Sequence, residues 1–391
     1  MIKSKAATLI STGKIEIREF PIPDIDEESA LLKMKLSGIC GTDQHMFAGE
    51  KVLDTYLPAK GIFTSPPFPL IPGHENVGII SDIGEIAAER MDGEGRRLKK
   101  GDLVVPVCNI RCGKCYYCKS TYGSPWCEDR LGYGTSLSCK DPPHLFGGWS
   151  EYMFLLPDVK VFKVPNEIVP EMAVLTEPLA VALATFTKAF LPTTAWDVGG
   201  FGIGNTVIIQ GLGPIGVLHA IVAKILGAAQ VIMIGVGSES DLFREEFIER
   251  HSFADEVINF PDSEKRIDEA LRSTNKIGGD IVVECTGNPK AILEGLEMVR
   301  MGGTYLIVGA FSDAGTVAIN PAINIVGKGI RIIGINGSPY QDYGRALTIL
   351  NKYKNQFKFQ EIVTHIFKLE ETEKAIKVAL GKKCMKVAIS P

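Results

Sequence analysis

Residues 206–227, TVIIQGLGPIGVLHAIVAKILG, constrain the fold of this chain more than any other stretch. A short β-branched run ends at Gly211, Gly213 and Gly216, and a helical pattern follows at once. In a strand, G-x-G-x-x-G, helix sequence the first glycine makes a tight bend and the second lets backbone approach a pyrophosphate. The third lets the helix pack closely on the strand. The free N–H groups and positive end of the helix face the anion, so Gly211, Gly213, Pro214, Ile215 and Gly216 read as a dinucleotide-binding turn. Ile215, Leu218, Val222 and Ile225 give the helix its apolar stripe. Residues 206–228 are also long enough to span a bilayer, but Gln210, Pro214, His219 and Lys224 interrupt them. A buried strand, a turn and a buried helix fit the pattern better.

The surrounding texture agrees. From about residue 179, apolar runs alternate with helical patterns: TVIIQ (206–210), QVIMI (230–234), EVIN (256–259), DIVVE (280–284), TYLIV (304–308) and GIRIIGI (329–335). These six predict one doubly wound parallel sheet over 179–336, an α/β fold. Residues 1–178 carry short apolar runs, KIEIREF, ALLKMKL, NVGII and DLVVPV, among many Gly and Pro, and read as an irregular β domain. The tail 337–391, with GRALTILNKY, VTHIFKL, ETEKAIKVAL and MKVAIS, reads as a return to that first domain. The ends of DIVVE and TYLIV place Cys285, Thr286, Gly287 and Gly309 at the carboxyl edge of the sheet, where the bound dinucleotide is expected.

Lys and Arg number 42 against 46 Asp and Glu, a net charge of -4, and no basic block occurs. This argues against nucleic acid or an anionic membrane as partner and for a small-molecule substrate. MIKSKAATLI lacks the apolar core of a secretory signal, so the expected location is the cytoplasm. Six of the nine cysteines lie within 108–139, and clustered cysteines in such a chain point to metal rather than to disulfides. Cys112, Cys115 and Cys118 stand at C-x-x-C-x-x-C spacing, with Cys127 nine positions on. Four thiolates close a tetrahedral shell, which makes a structural zinc site, with an iron–sulfur cluster as the rival. Cys108 and Cys139 fall outside the tight spacing and read as ordinary thiols.

Cys40-Gly-Thr42-Asp43-Gln-His45 and Gly73-His74-Glu75 are individually unremarkable. Together they offer a thiolate, an imidazole and a carboxylate, the donor set of an open zinc site that keeps one position for substrate. Asp43 suits the non-ligating nitrogen of His74, Thr42 a substrate hydroxyl, and His45 a proton path to solvent.

CGTDxH, GHE, the cysteine knuckle, EPLA at 177–180 and GLGPIG occur in one fixed order. In this the chain resembles the zinc-containing medium-chain alcohol and polyol dehydrogenases. The resemblance implies a GroES-like β domain and a Rossmann domain, with catalytic zinc and the nicotinamide meeting in the cleft between them. It implies Cys40, His74 and Glu177 on catalytic zinc, Glu75 as the alternative ligand, and Thr42 and His45 as the proton relay. It also implies structural zinc on Cys112, Cys115, Cys118 and Cys127, and a homodimer or homotetramer. The Lys119–Trp126 spacer is eight residues, one more than the family's common pattern. Glu177 stands where ordinary alcohol dehydrogenases have cysteine, which resembles the sorbitol, glucose and threonine branches. The expected activity is hydride transfer between a secondary alcohol, polyol or sugar hydroxyl and NAD or NADP, with threonine and simple alcohols as the alternatives. A zinc-less reductase or a zinc-knuckle nucleic-acid protein ranks below it, because the ligands are present and the net charge is negative.

The acid that bonds the ribose hydroxyls in NAD-preferring domains is expected at the end of the second strand. Gly235 stands there, 24 positions after Gly211. A glycine admits an extra phosphate, so NADP or dual use is expected, with Ser238 and Arg244 as its contacts. The counter-reading has Glu239 or Asp241 fold back to supply the acid.

Overall fold

The computed structural model describes residues 2–52, 66–120, 126–190, 201–381 and 383–391, with the backbone of two short strands at Tyr56–Leu57 and Ile62–Phe63. The chain divides into two compact units, Met1–Ala180 with Pro339–Pro391, and Val181–Ser338.

In the first unit, Lys3–Ser11 and Lys14–Pro21 form an antiparallel hairpin. A larger sheet runs in the order Val161–Lys163, Leu103–Pro106, Glu75–Ile83, Ala30–Gly38, Lys386–Ser390 and Val363–Lys368, and Tyr152–Leu155 also pairs with Ala30–Gly38. Ala30–Gly38 alternates as a half-buried strand should, with Lys33 and Lys35 exposed between buried Leu32, Met34 and Leu36. Leu32, Met34, Ile80, Val104, Trp149, Met153, Val161, Val387 and Ile389 fill one core. The last strand, Lys386–Ser390, pairs antiparallel with Ala30–Gly38 through Ala388 and Gly38, and parallel with Val363–Lys368. The tail is therefore built into the first unit's sheet, and it carries Lys386 to the end of the sheet where Gly38 pairs with Glu75.

The second unit holds six parallel strands in the order Glu256–Asn259, Gln230–Gly235, Thr206–Gln210, Gly279–Glu284, Val299–Ile307 and Arg331–Gly334. In chain order this is third, second, first, fourth, fifth, sixth, the doubly wound arrangement that puts ligands at the carboxyl ends where the order reverses. Ile208, Ile232, Ile258, Val282, Leu296 and Tyr305 pack its core. The fifth strand begins at Val299, five residues before the run TYLIV, because Gly302 and Gly303 erase the β pattern there. Residues 206–228 form the strand Thr206–Gln210, the turn and the helix Pro214–Ile225. Among the described residues one helical stretch, Pro170–Ala189, is long and apolar enough to cross a membrane, and most of it is buried inside the fold.

Candidate active site

The helix Gly41–Ala48 organises the Cys40 side of the site. Cys40 is its N-cap residue, and the third residue of the first turn, Asp43, accepts from the Cys40 backbone N–H at 2.8 Å through Oδ2. The same carboxylate accepts from Gly73 N at 3.3 Å and lies 3.6 Å from His74 Nδ1, so one buried acid ties the CGTD turn to the GHE strand. His74 Nδ1 is buried and makes no hydrogen bond. With Asp43 facing Nδ1, Nε2 is left for a metal. Burial opposes the His74 imidazolium, but the Asp43 charge and the Cys40 thiol outweigh it and hold the group well above the ordinary histidine range.

Thr42 is buried beside Cys40, Oγ1 to Sγ 3.9 Å, and His45 lies one turn further along the helix. His45 Nδ1 meets Glu50 Oε2 at 2.6 Å on an exposed edge. Glu75 is fully buried and its Oε1 is paired with the ammonium of Lys386, itself buried. Its Oε2 is buried with no hydrogen bond, and a Cβ on Gly38 would come within 2.0 Å of it. Gly38 is thus required by the close approach of a carboxylate. Burial opposes the Lys386 charge, and Glu75 first, then Cys40 and Glu177, offset it and hold Lys386 above the usual lysine range. Glu177 lies in the first turn of Thr176–Ala189 and is felt also by Tyr343, whose hydroxyl donates to Cys108 Sγ at 3.4 Å. Burial, with Cys108 and Glu177, pushes the Tyr343 phenol well up.

The donor chemistry fits a cation here: a thiol, an imidazole whose Nδ1 faces an acid, and an unpartnered buried carboxylate oxygen share one neighbourhood. Cys40, His74, Glu75 and Glu177 are not gathered as tightly as the knuckle. Among the described residues Cys112, Cys115, Cys118 and Cys127 are the one set of three or more donors lying within 4.8 Å of one another. N–H···S bonds shape that set, among them Cys112 N to Cys127 Sγ at 3.3 Å, Cys115 N to Cys112 Sγ at 3.4 Å and Cys118 N to Cys115 Sγ at 3.4 Å. Donation from the Glu128 backbone N–H, with further bonds, draws the Cys115 thiol down to about 7, whereas burial pushes Cys127 up to about 12. The lengthened spacer falls partly on 121–125, outside the described residues, and Cys118 and Cys127 still meet.

In the second unit Gly211 has φ +108°, which favours glycine, and a Cβ on Gly216 would meet Gly211 O at 2.1 Å, so the turn demands both. Gly213 caps Pro214–Ile225, and the Arg244 guanidinium reaches to 3.8 Å from where its Cβ would be. A Cβ on Gly235 would meet Asn259 Oδ1 at 2.5 Å and Leu212 Cδ1 at 2.7 Å, so any side chain at that position must displace these two. Asp241 does fold back, but its Oδ2 accepts from Val236 N at 2.9 Å. Ser238 caps Glu239–His251, accepting from Asp241 N, and its hydroxyl lies 2.9 Å from Ser240 Oγ. Thr286 donates to Glu284 Oε1 at 2.6 Å, and Gly309 leaves no room for a side chain against Gly287 N. The core residue His219 is fully buried between Ile215 O and Thr185 Oγ1.

Sequence reasoning missed Lys386 and the Tyr343–Cys108 contact. The available signal for Lys386 was a lone charge in the apolar run MKVAIS; nothing local marks Tyr343.

Two family models match the chain: the alcohol dehydrogenase GroES-like domain over residues 26–166 and the zinc-binding dehydrogenase domain over 214–352. D-arabinitol dehydrogenase 1 of Uromyces fabae is 31% identical over 95% of this chain and 92% of its own. An L-threonine 3-dehydrogenase of Caldanaerobacter subterraneus is 31% identical over 95% and 93%. The crystal structure of an alcohol dehydrogenase from Thermotoga maritima superposes with a TM-score of 0.85 at 30% identity, covering all of both chains. The chain belongs to the zinc-containing medium-chain alcohol and polyol dehydrogenases. It is an oxidoreductase of alcohol or polyol hydroxyls of the zinc-binding dehydrogenase type, built from a GroES-like and a Rossmann domain.

Proposed function

We propose that the enzyme oxidises a secondary hydroxyl of a polyol or sugar reversibly, with catalytic zinc on Cys40, His74 and Glu177, and Glu75 as the carboxylate able to exchange with Glu177. Zinc, when bound, supplies a Lewis acid that eases loss of the hydroxyl proton, and the nicotinamide supplies a hydride acceptor. The observation that carries this reading is Asp43, which holds the backbone of both Cys40 and Gly73 while facing His74 Nδ1. Thr42 takes the substrate proton and passes it to His45, one helical turn on, whose Nδ1 meets the exposed Glu50. Glu177 in place of a thiolate favours polyols, sugars or threonine over simple alcohols, and the D-arabinitol dehydrogenase relative supports polyols first. Threonine is the second reading, supported by the threonine dehydrogenase relative. Cys112, Cys115, Cys118 and Cys127 hold the structural zinc.

For the nucleotide, the glycine at 235 in place of an acid, the commitment of Asp241 to Val236 N and the reach of Arg244 to the Gly-rich turn support NADP or dual use, with Ser238 and Arg244 at the extra phosphate. Gly211, Gly213, Pro214, Ile215 and Gly216 take the pyrophosphate, and Thr286 and Gly309 edge the nicotinamide. The test is a screen of polyols, aldoses, threonine and simple alcohols with both cofactors, in the parent and in Arg244→Gln. The expected result is polyol oxidation with NADP, weakened about tenfold to a hundredfold in kcat/KM by Arg244→Gln while NAD is spared. Equal loss with both nucleotides refutes the Arg244 assignment, and preference for threonine or a primary alcohol refutes the substrate class.

A further inference from the structure

Four thiolates around a divalent cation carry a net double negative charge, and a half-buried loop has little water to disperse it. Backbone N–H groups at the knuckle, those of Cys112, Cys115 and Cys118 among them, already point at sulfur. Lys114 and Lys119 are exposed, where their charges are solvated and weakly coupled to the cluster. Arg111 is placed differently. It directly precedes Cys112, is half-buried, and its guanidinium carbon lies 5.6 Å from the centroid of the Tyr340 ring. Burial opposes its charge and outweighs the Cys118 thiol, Tyr340 and the Cys127 thiol, which favour it. A guanidinium is weakly hydrated, planar and stable against a ring face near anions, which an ammonium is not to the same degree.

Tyr340 immediately precedes the helix Gln341–Tyr353. Three residues on, Tyr343 donates to Cys108 Sγ and stacks on Phe162, ring centroids 6.0 Å apart. The segment from Cys108 to Cys112 therefore touches the start of this helix at two points.

We propose that Arg111 is the counter-charge of the knuckle's metal centre, and that through Tyr340 it latches the knuckle to the helix Gln341–Tyr353. This rests on the reading of the four knuckle cysteines as zinc ligands. Arg111 is a positioning residue: it touches neither substrate nor nucleotide, and it sets how firmly the knuckle holds its metal.

The experiment follows zinc passing from the full-length holoenzyme to excess EDTA, read by a colorimetric indicator. A Cys40→Ser background leaves only the knuckle's zinc. Arg111→Gln should speed release about tenfold, the size of a partly desolvated cation–π contact with its added ion pairing. Arg111→Lys, which keeps the charge and loses the planar stack, should fall between the parent and Arg111→Gln, as should Tyr340→Leu, which loses the stack alone. Release from Arg111→Gln within about twofold of the parent overturns the proposal, as does Arg111→Lys releasing as fast as Arg111→Gln. Should Arg111→Gln fail to accumulate, Tyr340→Leu decides: unchanged release overturns the latch. A parent knuckle that binds no zinc refutes the metal reading instead, and does so before any variant is made.

Discussion

Removing the ammonium of Lys386 leaves Glu75 as a buried carboxylate with neither oxygen paired. The side chains are 4% and 0% exposed, and Glu75 Oε2 already lacks a hydrogen bond. Breaking a buried ion pair from one side costs about 3 to 5 kcal/mol, because an uncompensated charge stays behind. For a unit of this size each kcal/mol moves the melting temperature by about 2 to 4 °C, so Lys386→Met should lower it by roughly 6 to 20 °C. A catalytic zinc can take over the role of Lys386 by drawing Glu75 toward itself, so the comparison is made both in zinc-replete enzyme and in a Cys40→Ser background. The loss should be larger in the latter. Calorimetry of Lys386→Met, Glu75→Gln and the double variant gives the coupling, and the double variant should be less damaged than Lys386→Met alone. A loss below about 1 kcal/mol in both backgrounds refutes the buried pair as a structural element.

Cys115→Ser should release the knuckle's zinc and lower thermal stability before it touches chemistry; a variant that melts with the parent and keeps its metal contradicts the closed four-thiolate site. Glu177→Gln should weaken catalytic zinc binding more than Glu75→Gln does, since Lys386 holds Glu75 in place; equilibrium dialysis against zinc checks the order, and the reverse order exchanges the two roles. Burial holds His219 down at about 4 against an ordinary 6.5, so the unfolded chain takes up its proton first as pH falls. Its contribution is complete above pH 6.5 and is lost between there and about 4, roughly 3 kcal/mol in all. Urea midpoints from pH 7 to 4.5 should fall more steeply in the parent than in His219→Gln, and parallel curves count against a neutral buried histidine.

The second unit was legible in the sequence because its signals are local. TVIIQ, EVIN and DIVVE are apolar runs bounded by turns, and each became a strand within a residue of its written limits. Gly216 is likewise fixed by a contact a few residues away, its approach to Gly211 O. The knuckle followed from spacing alone, since four sulfurs that close a shell need short loops. What stayed hidden depends on distant chain. Lys386 lies 311 positions from Glu75, and their pairing follows from where the last strand enters the first unit's sheet. The crowding at Gly235 comes in part from Asn259 on the neighbouring strand, so the missing acid was visible as composition and not as packing. Asp43 was legible as a partner for His74, but its hold on Gly73 N appears only once the CGTD helix and the GHE strand are brought together.

Metal and turnover counted on the same preparations give the most direct test. Parent enzyme and Cys40→Ser are analysed for zinc per chain, and polyol-dependent reduction of NAD and NADP is followed by nicotinamide absorbance. The parent should carry about two zinc per chain and turn over. Cys40→Ser should carry about one, keep its fold by circular dichroism and show no polyol-dependent reduction. A Cys40→Ser enzyme that retains full activity with about one zinc contradicts the assignment of Cys40, His74 and Glu177 as the reactive centre.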